Sequence, residues 1–438
     1  MRYKLLCLVS LTILLWSITS PSLLAAPLKA FTPPTNITVR MYRLFSGGAS
    51  TGILCVSNDT SYGCTAFVGD SSHAYPYGTA NPVTIPIETD YLLDVVPSEI
   101  SVEAFHPTAI QAQAIAARSY AYWHINQGSA INNSNQFQVF VPYAFEALPS
   151  AASPNFPDNP SDPCASTNLN NDQRIVCDAV APRYYISYGT YPNDDLPAFT
   201  EYFADIRNRT VSGGQPYLTA VDDPISSHPA IVQDGHGRGM SQKGASRWAR
   251  GNLSYNMNRD LGSWSVRWER AEQILVHYYT GIHIRDASGT ILTPEYRWVP
   301  LSITWSGDCP PSMQHGQTCT ATFKIQNSGT TTWPGTGQVY LWYHGWEPGG
   351  PQAQGAGGSL GISQAVAPGE TVVQTVTFTA PTPPHPGAPY RLRFDLLLEG
   401  EGWASELEPG RPWPTYDVMV CVDGPWPCQV FLPLVIKN

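Results

Sequence analysis

Hydrophobic and polar positions follow two different periods along this chain, and the change of period divides it. Ile37-Thr38-Val39-Arg40-Met41-Tyr42 alternates as a strand does, and Val83-Thr84-Ile85-Pro86-Ile87 predicts another, because successive side chains of a strand point to opposite faces. The Gly/Ser/Asn-rich patch between them predicts hairpins. From Pro107 the spacing lengthens: Ile110, Ala114, Ala117 and Ala121 recur at four, three and four, and Gly128 stands just past the end. A helix is therefore expected from Pro107 to Asn126, with proline suited to its first turn and alanines that let neighbouring backbones come close. Ser241 can cap a second helix that runs through Arg247, Trp248 and Ala249 to a stop at Gly251. A third is expected over Val266 to Tyr279, ending at Gly281.

Beyond residue 300 the period falls to two. Cys319, Ala321, Phe323 and Ile325 share one face, as do Val339, Leu341 and Tyr343, then Val372, Val376 and Phe378, then Tyr390, Leu392, Phe394 and Leu396. Turn clusters Asn327-Ser328-Gly329 and Ala367-Pro368-Gly369 separate them, which predicts a β-sandwich with almost no helix. The fold class expected is an α+β domain followed by an all-β sandwich. The domains read as 31–287 and 301–422, joined by a linker at 288–300 and followed by an apolar tail at 423–438. Val430 to Ile436 reads as a final strand, since it is far shorter than a membrane span. Ser150 to Asn171 is polar and Pro-rich and reads as an exposed insertion.

Composition sharpens this picture. Met1, Arg2 and Lys4 precede an apolar run from Leu5 to Ile18 and small residues at Ser20, Ser22, Ala25 and Ala26. Residues 1–30 thus read as a secretory signal peptide, with cuts after Ala25 or Ala30 both open. Cys7 lies inside the apolar run and not at its end, against a lipid anchor. No later stretch is apolar enough to span a bilayer, so a secreted, extracellular or cell-wall location is expected. Eight cysteines remain after the signal, and they fall as near neighbours: Cys55 with Cys64, Cys164 with Cys177, Cys309 with Cys319, Cys421 with Cys428. Disulfides closing short loops suit an oxidising compartment; metal binding competes poorly, as no zinc-ligand spacing occurs. Charged residues make up 13%, Gly and Pro number 36 and 40, and the net charge is −10. That balance favours loop-rich extracellular domains and disfavours nucleic acid or anionic membranes as partners. It leaves a neutral glycan open.

Tyr91 to Ile100, holding Pro97-Ser98-Glu99, followed by Ala109 to Ala121, resembles the signature of the stage II sporulation protein D and LytB amidase-enhancer family. Gln138-Val139-Phe140, Pro216-Tyr217-Leu218 with Val221-Asp222-Asp223-Pro224, Gly235 to Gln242 with Gly244-Ala245, and Ile274-Leu275 through Tyr278-Tyr279-Thr280-Gly281 agree in order. The resemblance covers residues 37 to 287. It implies a peptidoglycan-active protein, either a lytic transglycosylase cutting glycan strands stripped of their peptides or an enhancer of a cell-wall amidase. It maps the family's essential glutamate onto Glu99 and its motif arginine onto Arg118. A Ser-Gly-Gly pattern expected before Pro216 is read as degraded at Phe203 to Thr210, and the Cys/His metal ligands of some members have no counterpart before Gln138, so no zinc or other cofactor is expected. The Trp333 segment, with Trp342, Trp346 and Trp403, resembles the four-tryptophan Ig-like domains over residues 300 to 422.

Chemistry gives Glu99 its interest. It is a lone acid placed, on this reading, where an irregular segment meets a helix, beside Val95, Val96 and Ile100. Breaking a glycosidic bond requires a protonated carboxyl near neutral pH, which partial burial can supply. In a lytic transglycosylase the substrate's own 6-hydroxyl replaces water, so one carboxyl serves as acid and then base. A two-carboxylate hydrolase would recruit Asp90, Asp94, Glu103, Asp222 or Asp223. Substrate-binding candidates are Arg118, Asp223, His236 in its glycine-flanked run, Ser241 and Gln242. The bland alternatives are a capping acid for Glu99, a solvated cation for Arg118 and a tight connection for the glycines. Tryptophans of the second domain could stack on sugars, with Trp342 expected to point outward, or simply fill its core. A catalytically silent amidase partner and a structural surface module complete the possibilities.

Overall fold

The computed structural model describes residues 31–78, 80–149, 154–189, 196–307, 309–347, 361–407 and 412–428. The signal peptide expected at 1–30 and the strand expected at 430–436 lie outside them. From Phe31 onward the chain forms one compact unit.

In the first half, strand β1 (Asn36–Arg40) buries Ile37 and Val39 as its alternation requires, and β2 (Tyr42–Leu44) and β3 (Ser50–Leu54) form a hairpin. β4 (Val83–Pro86) runs antiparallel to β1. The chain then enters helix α1 (Leu92–Glu99) through a wide turn at Ile87–Tyr91. This helix was not expected. Pro97 inside it marks where it must stop, because proline removes an amide donor and crowds the preceding turn. Glu99 is thus the last residue of a helix, not the entry to one.

Helix α2 covers Pro107–Asn126 as expected, with the imidazole of His106 accepting the Thr108 amide at its start. Its alanines allow burial on two faces at once. Ala109, Ala112, Ile115 and Ala116 belong to one hydrophobic core, while Ile110, Ala114, Ala117 and Ala121 belong to a second. The short β5 (Ile131–Asn132) adds to β1 in parallel. Beyond the insertion, α3 (Asn171–Val180) opens with a capping box of Asn170 and Gln173. Small ladders follow: β6 (Tyr185–Ser187), β7 (Tyr202–Phe203), β8 (Asn208–Arg209), β9 (Asp222–Asp223) and β10 (Met240–Ser241), with β10 parallel to β7. Helix α4 (Gln242–Arg250) ends at Gly251 with φ 61°, the left-handed stop that glycine permits. Helix α5 spans only Ala271–Tyr278. The expected start at Val266 fails because Trp264 and Trp268 donate their amides to Gly251 and Trp248, which holds that stretch extended against α4.

β11 (His283–Arg285) returns to β6. The stretch read as a linker at 288–300 runs into β12 (Trp298–Trp305), whose first residues are fully buried. β13 (Ser312–Met313), β14 (Thr318–Asn327), β15 (Val339–Glu347), β16 (Thr371–Thr379), β17 (Ala388–Leu398), β18 (Gly402–Trp403) and β19 (Tyr416–Val422) complete two sheets. One sheet has the order β12-β14-β16, the other β13-β19-β17-β15 with β18 beside β17. They pack face to face, with Phe323 and Phe394 rings 4.8 Å apart. Trp342 does not point outward into solvent: the strand bulges between Tyr343 and Trp346, and its far face is closed around the buried Asp395, which accepts the Trp298 indole N–H and the Ser405 amide. Trp333, Trp342 and Trp346 are all buried, and Trp403 stacks on His344. Core filling is their role.

The two halves share one core. Trp248 and Trp268 stack 4.0 Å apart, Trp268 donates to the Pro300 carbonyl and Trp264 to that of Leu301, and the buried His277 meets Gln326 at 2.7 Å. All eight described cysteines pair as neighbours, Cys55–Cys64, Cys164–Cys177, Cys309–Cys319 and Cys421–Cys428.

Candidate active site around Glu99

Three segments converge on the end of α1. The amide of Val139 donates to the Glu99 carboxylate at 2.6 Å, the Tyr202 hydroxyl hydrogen-bonds it, and the Gln242 amide group reaches both it and the Glu99 carbonyl, the latter at 3.4 Å. Gln242 stands at the first turn of α4, placed there by the Ser241 cap, and also approaches Gln113 of α2. Tyr202 is itself held by Gln138, whose amide donates to its hydroxyl at 3.0 Å and whose carbonyl accepts from Tyr91 at 2.9 Å. With Gln138 donating, the Tyr202 proton is free to point at Glu99.

Glu99 keeps some contact with solvent, yet its carboxyl is enclosed. Burial pushes its pKa up to about 7, against the lowering pull of Val139, Tyr202 and Gln242. A low-dielectric surround disfavours the charged form, and the three donors are too few to restore it. Among the described residues, no second carboxylate is among the groups that set this value. The negative charge in turn raises the phenols of Tyr62 and Tyr202, after burial.

The glycine-flanked loop forms one wall. Gly235, Gly237 and Gly239 have φ of 96°, 80° and 74°, and a Cβ on Gly239 would lie 1.9 Å from the Glu201 carbonyl. That contact lets β10 pair with β7 and carries His236 alongside Tyr202 and Phe203, with its ring 5.7 Å from that of Phe203. Arg238 fixes the loop by a two-pronged pair with Glu201 at 2.6 and 2.9 Å. The β2–β3 hairpin backs Val139, with Leu44 in one apolar cluster with Val139 and Val141.

The other expected contacts lie elsewhere. Arg118 is fully buried and grips Glu88 at 2.7 and 2.9 Å while capping the carbonyls of Val180 and Tyr184, so it braces α2 against α3 and β6 and does not face the cleft. Asp223 is fully buried among Trp248, Tyr278 and Ser226, with its pKa raised to about 6 chiefly by burial. Ser241 spends its hydroxyl on the Gly244 amide and is inaccessible. Of the possible second acids, Asp222 pairs with Arg209 and Lys324, and Asp90 and Asp94 line a separate cavity of about 240 Å³ with Glu146 and Tyr77. That cavity does not include Glu99. Among the described residues the one cluster of ligand-type atoms is Cys55, Asp59 and Cys64, whose sulfurs are bonded to each other, so it does not suit a metal.

Tyr202, Tyr62 and the Val139 amide escaped the sequence reading. Gln138-Val139-Phe140 is a motif in the sequence, but its side chains do not show that the backbone amide of Val139 meets Glu99. The Ser-Gly-Gly pattern was misplaced: Ser212-Gly213-Gly214 stands directly before Gln215-Pro216, intact, and Phe203 to Thr210 is a different element.

A single enclosed glutamate at a helix end, backed by Tyr202 and Gln138 and flanked by the glycine-rich loop, is an arrangement able to give and take a proton near neutral pH. Residues 78–169 match the family model described as SpoIID, stage II sporulation protein, which supports the resemblance to the stage II sporulation protein D and LytB type over that segment. No curated protein matches the chain. Among solved structures, the CARDB domain of the PF1109 protein from Pyrococcus furiosus aligns at 15% identity over 30% of this chain and 94% of that one, with a TM-score of 0.18, too low to define a fold.

Proposed function

We propose that this cell-wall- and sporulation-related protein is a secreted lytic transglycosylase acting on peptidoglycan glycan strands, with Glu99 as its acid and base. The observation that carries this reading is a lone carboxyl with a pKa of about 7, enclosed by neutral donors. Such a group is protonated and deprotonated in comparable amounts at neutral pH, which suits both halves of the reaction. In the first, Glu99 gives its proton to the bridging oxygen as the bond from that oxygen to the anomeric carbon breaks. In the second, the carboxylate takes the proton of the sugar's 6-hydroxyl as that oxygen bonds to the anomeric carbon, leaving an anhydro end and no consumed water.

Tyr202 and Gln242 orient the carboxyl, and His236 and the loop amides offer hydrogen bonds to sugar hydroxyl or N-acetyl groups. Ig-like character of the second half, with no ligand assigned, is part of this reading. The test is product analysis on purified peptide-free strands. Anhydro-ended fragments are expected, and reducing ends would indicate a hydrolase. Neither product, together with a faster partner amidase on addition, would mark a non-catalytic enhancer.

A further inference from the structure

A row of aromatic rings, part-exposed at Trp123, Phe137 and Phe199, continues from the Glu99 site along α2. Gln113 and Ala117 of that helix lie at the glutamate end, where they meet Gln242 and Gln138. Tyr120, Trp123 and His124 follow within two turns, about 9 Å further on from Ala117 to Trp123. Phe199 stacks on Tyr120 with ring centres 5.1 Å apart and meets Trp123 at 4.6 Å, and Phe137 approaches His124 at 5.2 Å. Both outlying rings are tied to the site by the chain itself: Phe137 directly precedes Gln138-Val139, and Phe199 comes three residues before Tyr202. Trp123, Phe137 and Phe199 all retain solvent contact.

Within this row sits an unexplained polar group. His124 is 7% exposed, and neither of its ring nitrogens has a hydrogen-bond partner. A plain core would place an apolar residue there, since a buried polar group without a partner is disfavoured. Flat aromatic faces match the C–H face of a pyranose, with apolar contact and little rotamer entropy to lose.

We infer that the cleft extends past Glu99 onto an aromatic shelf of Trp123, Phe199 and Phe137 that stacks a further sugar ring of the glycan strand, with the buried ring of His124 supporting Phe137 from beneath. This rests on the glycan reading of the Glu99 site. Binding of peptide-free glycan strands to Glu99→Gln protein, measured by calorimetry, tests it without cleavage. Phe199→Leu keeps apolar bulk and removes only the flat ring, and Trp123→Ala removes the larger face. Each is expected to weaken binding about tenfold, and in protein with Glu99 intact the loss falls on KM and not on kcat. Trp123→Phe is expected to restore most of it. Unchanged binding in Phe199→Leu with an unchanged melting temperature would overturn the shelf, as would a loss confined to kcat. Weakened binding in a protein that never cuts strands would keep the shelf and remove the catalytic assignment.

Discussion

At the scale of single residues, environment decides role. Glu99 and Arg118 were both marked by the same motif, yet one is enclosed by neutral donors and the other is spent on Glu88 and two carbonyls. Glu99→Gln is expected to lower kcat on glycan strands by a factor of about 10² to 10⁴. It also carries a stability signature. The folded pKa of about 7 exceeds the ordinary 4.5, so the folded state holds a proton that the unfolded state releases, and parent stability falls as pH rises from 4.5 to 7. Relative to parent, the variant should gain on the order of 2 kcal/mol in unfolding free energy between pH 5 and pH 8, read from urea melts. Arg118→Met should instead unfold the protein, at a loss of about 3–5 kcal/mol, because it strands Glu88. The identity of Glu99 was legible because a motif surrounds it. Tyr202 was not, since a tyrosine gains meaning only when Gln138, 64 positions away, takes its lone pair.

Elements were legible where one periodicity governs them and obscure where packing overrides it. Helix α2 matched its alanine pattern from Pro107 to Asn126, and the Ser241 cap and Gly251 stop framed α4. α1 was missed because a proline two residues before its end argues locally against a helix, and the Val266 start of α5 failed because tryptophans pin that stretch to α4. Ser241→Ala should cost about 1 kcal/mol in a thermal melt, the usual loss of a cap, through helix fraying and not through loss of a sugar contact. Gly239→Ala adds a Cβ where the Glu201 carbonyl stands and forces a non-glycine residue to φ 74°. It is expected to abolish cleavage while a far-ultraviolet spectrum stays close to parent, since only the short β7–β10 ladder depends on that approach.

For the whole molecule, two textures of sequence do not mean two independent bodies. The change of period at residue 300 was real, but burial of Trp268, His277 and Trp298 between the halves could not be read from periodicity, which is blind to what an element packs against. His277 shows how completely water is excluded there. Burial holds its pKa down to about 4, against the raising effect of Gln326, so the unfolded chain takes up a proton near pH 6.5 that the folded one refuses. Stability is therefore lost as pH falls from 6.5 toward 4. Parent should lose about 2 kcal/mol more than His277→Gln between pH 7 and pH 5. Likewise, residues 31–297 produced alone should melt well below the full chain or aggregate, and the intact protein should melt in one transition when followed by tryptophan fluorescence and by calorimetry.

That common interior, with its stacked Trp248 and Trp268, has a mechanical meaning. A companion module on a swinging tether would let the cutting site sample many orientations over an insoluble mesh. Here the two halves share one interior, so on the proposed reading whatever the sandwich rests against also dictates the direction from which a glycan strand would thread past Glu99. Catalysis on short soluble oligomers and on intact sacculi should then respond differently to any change at that seam.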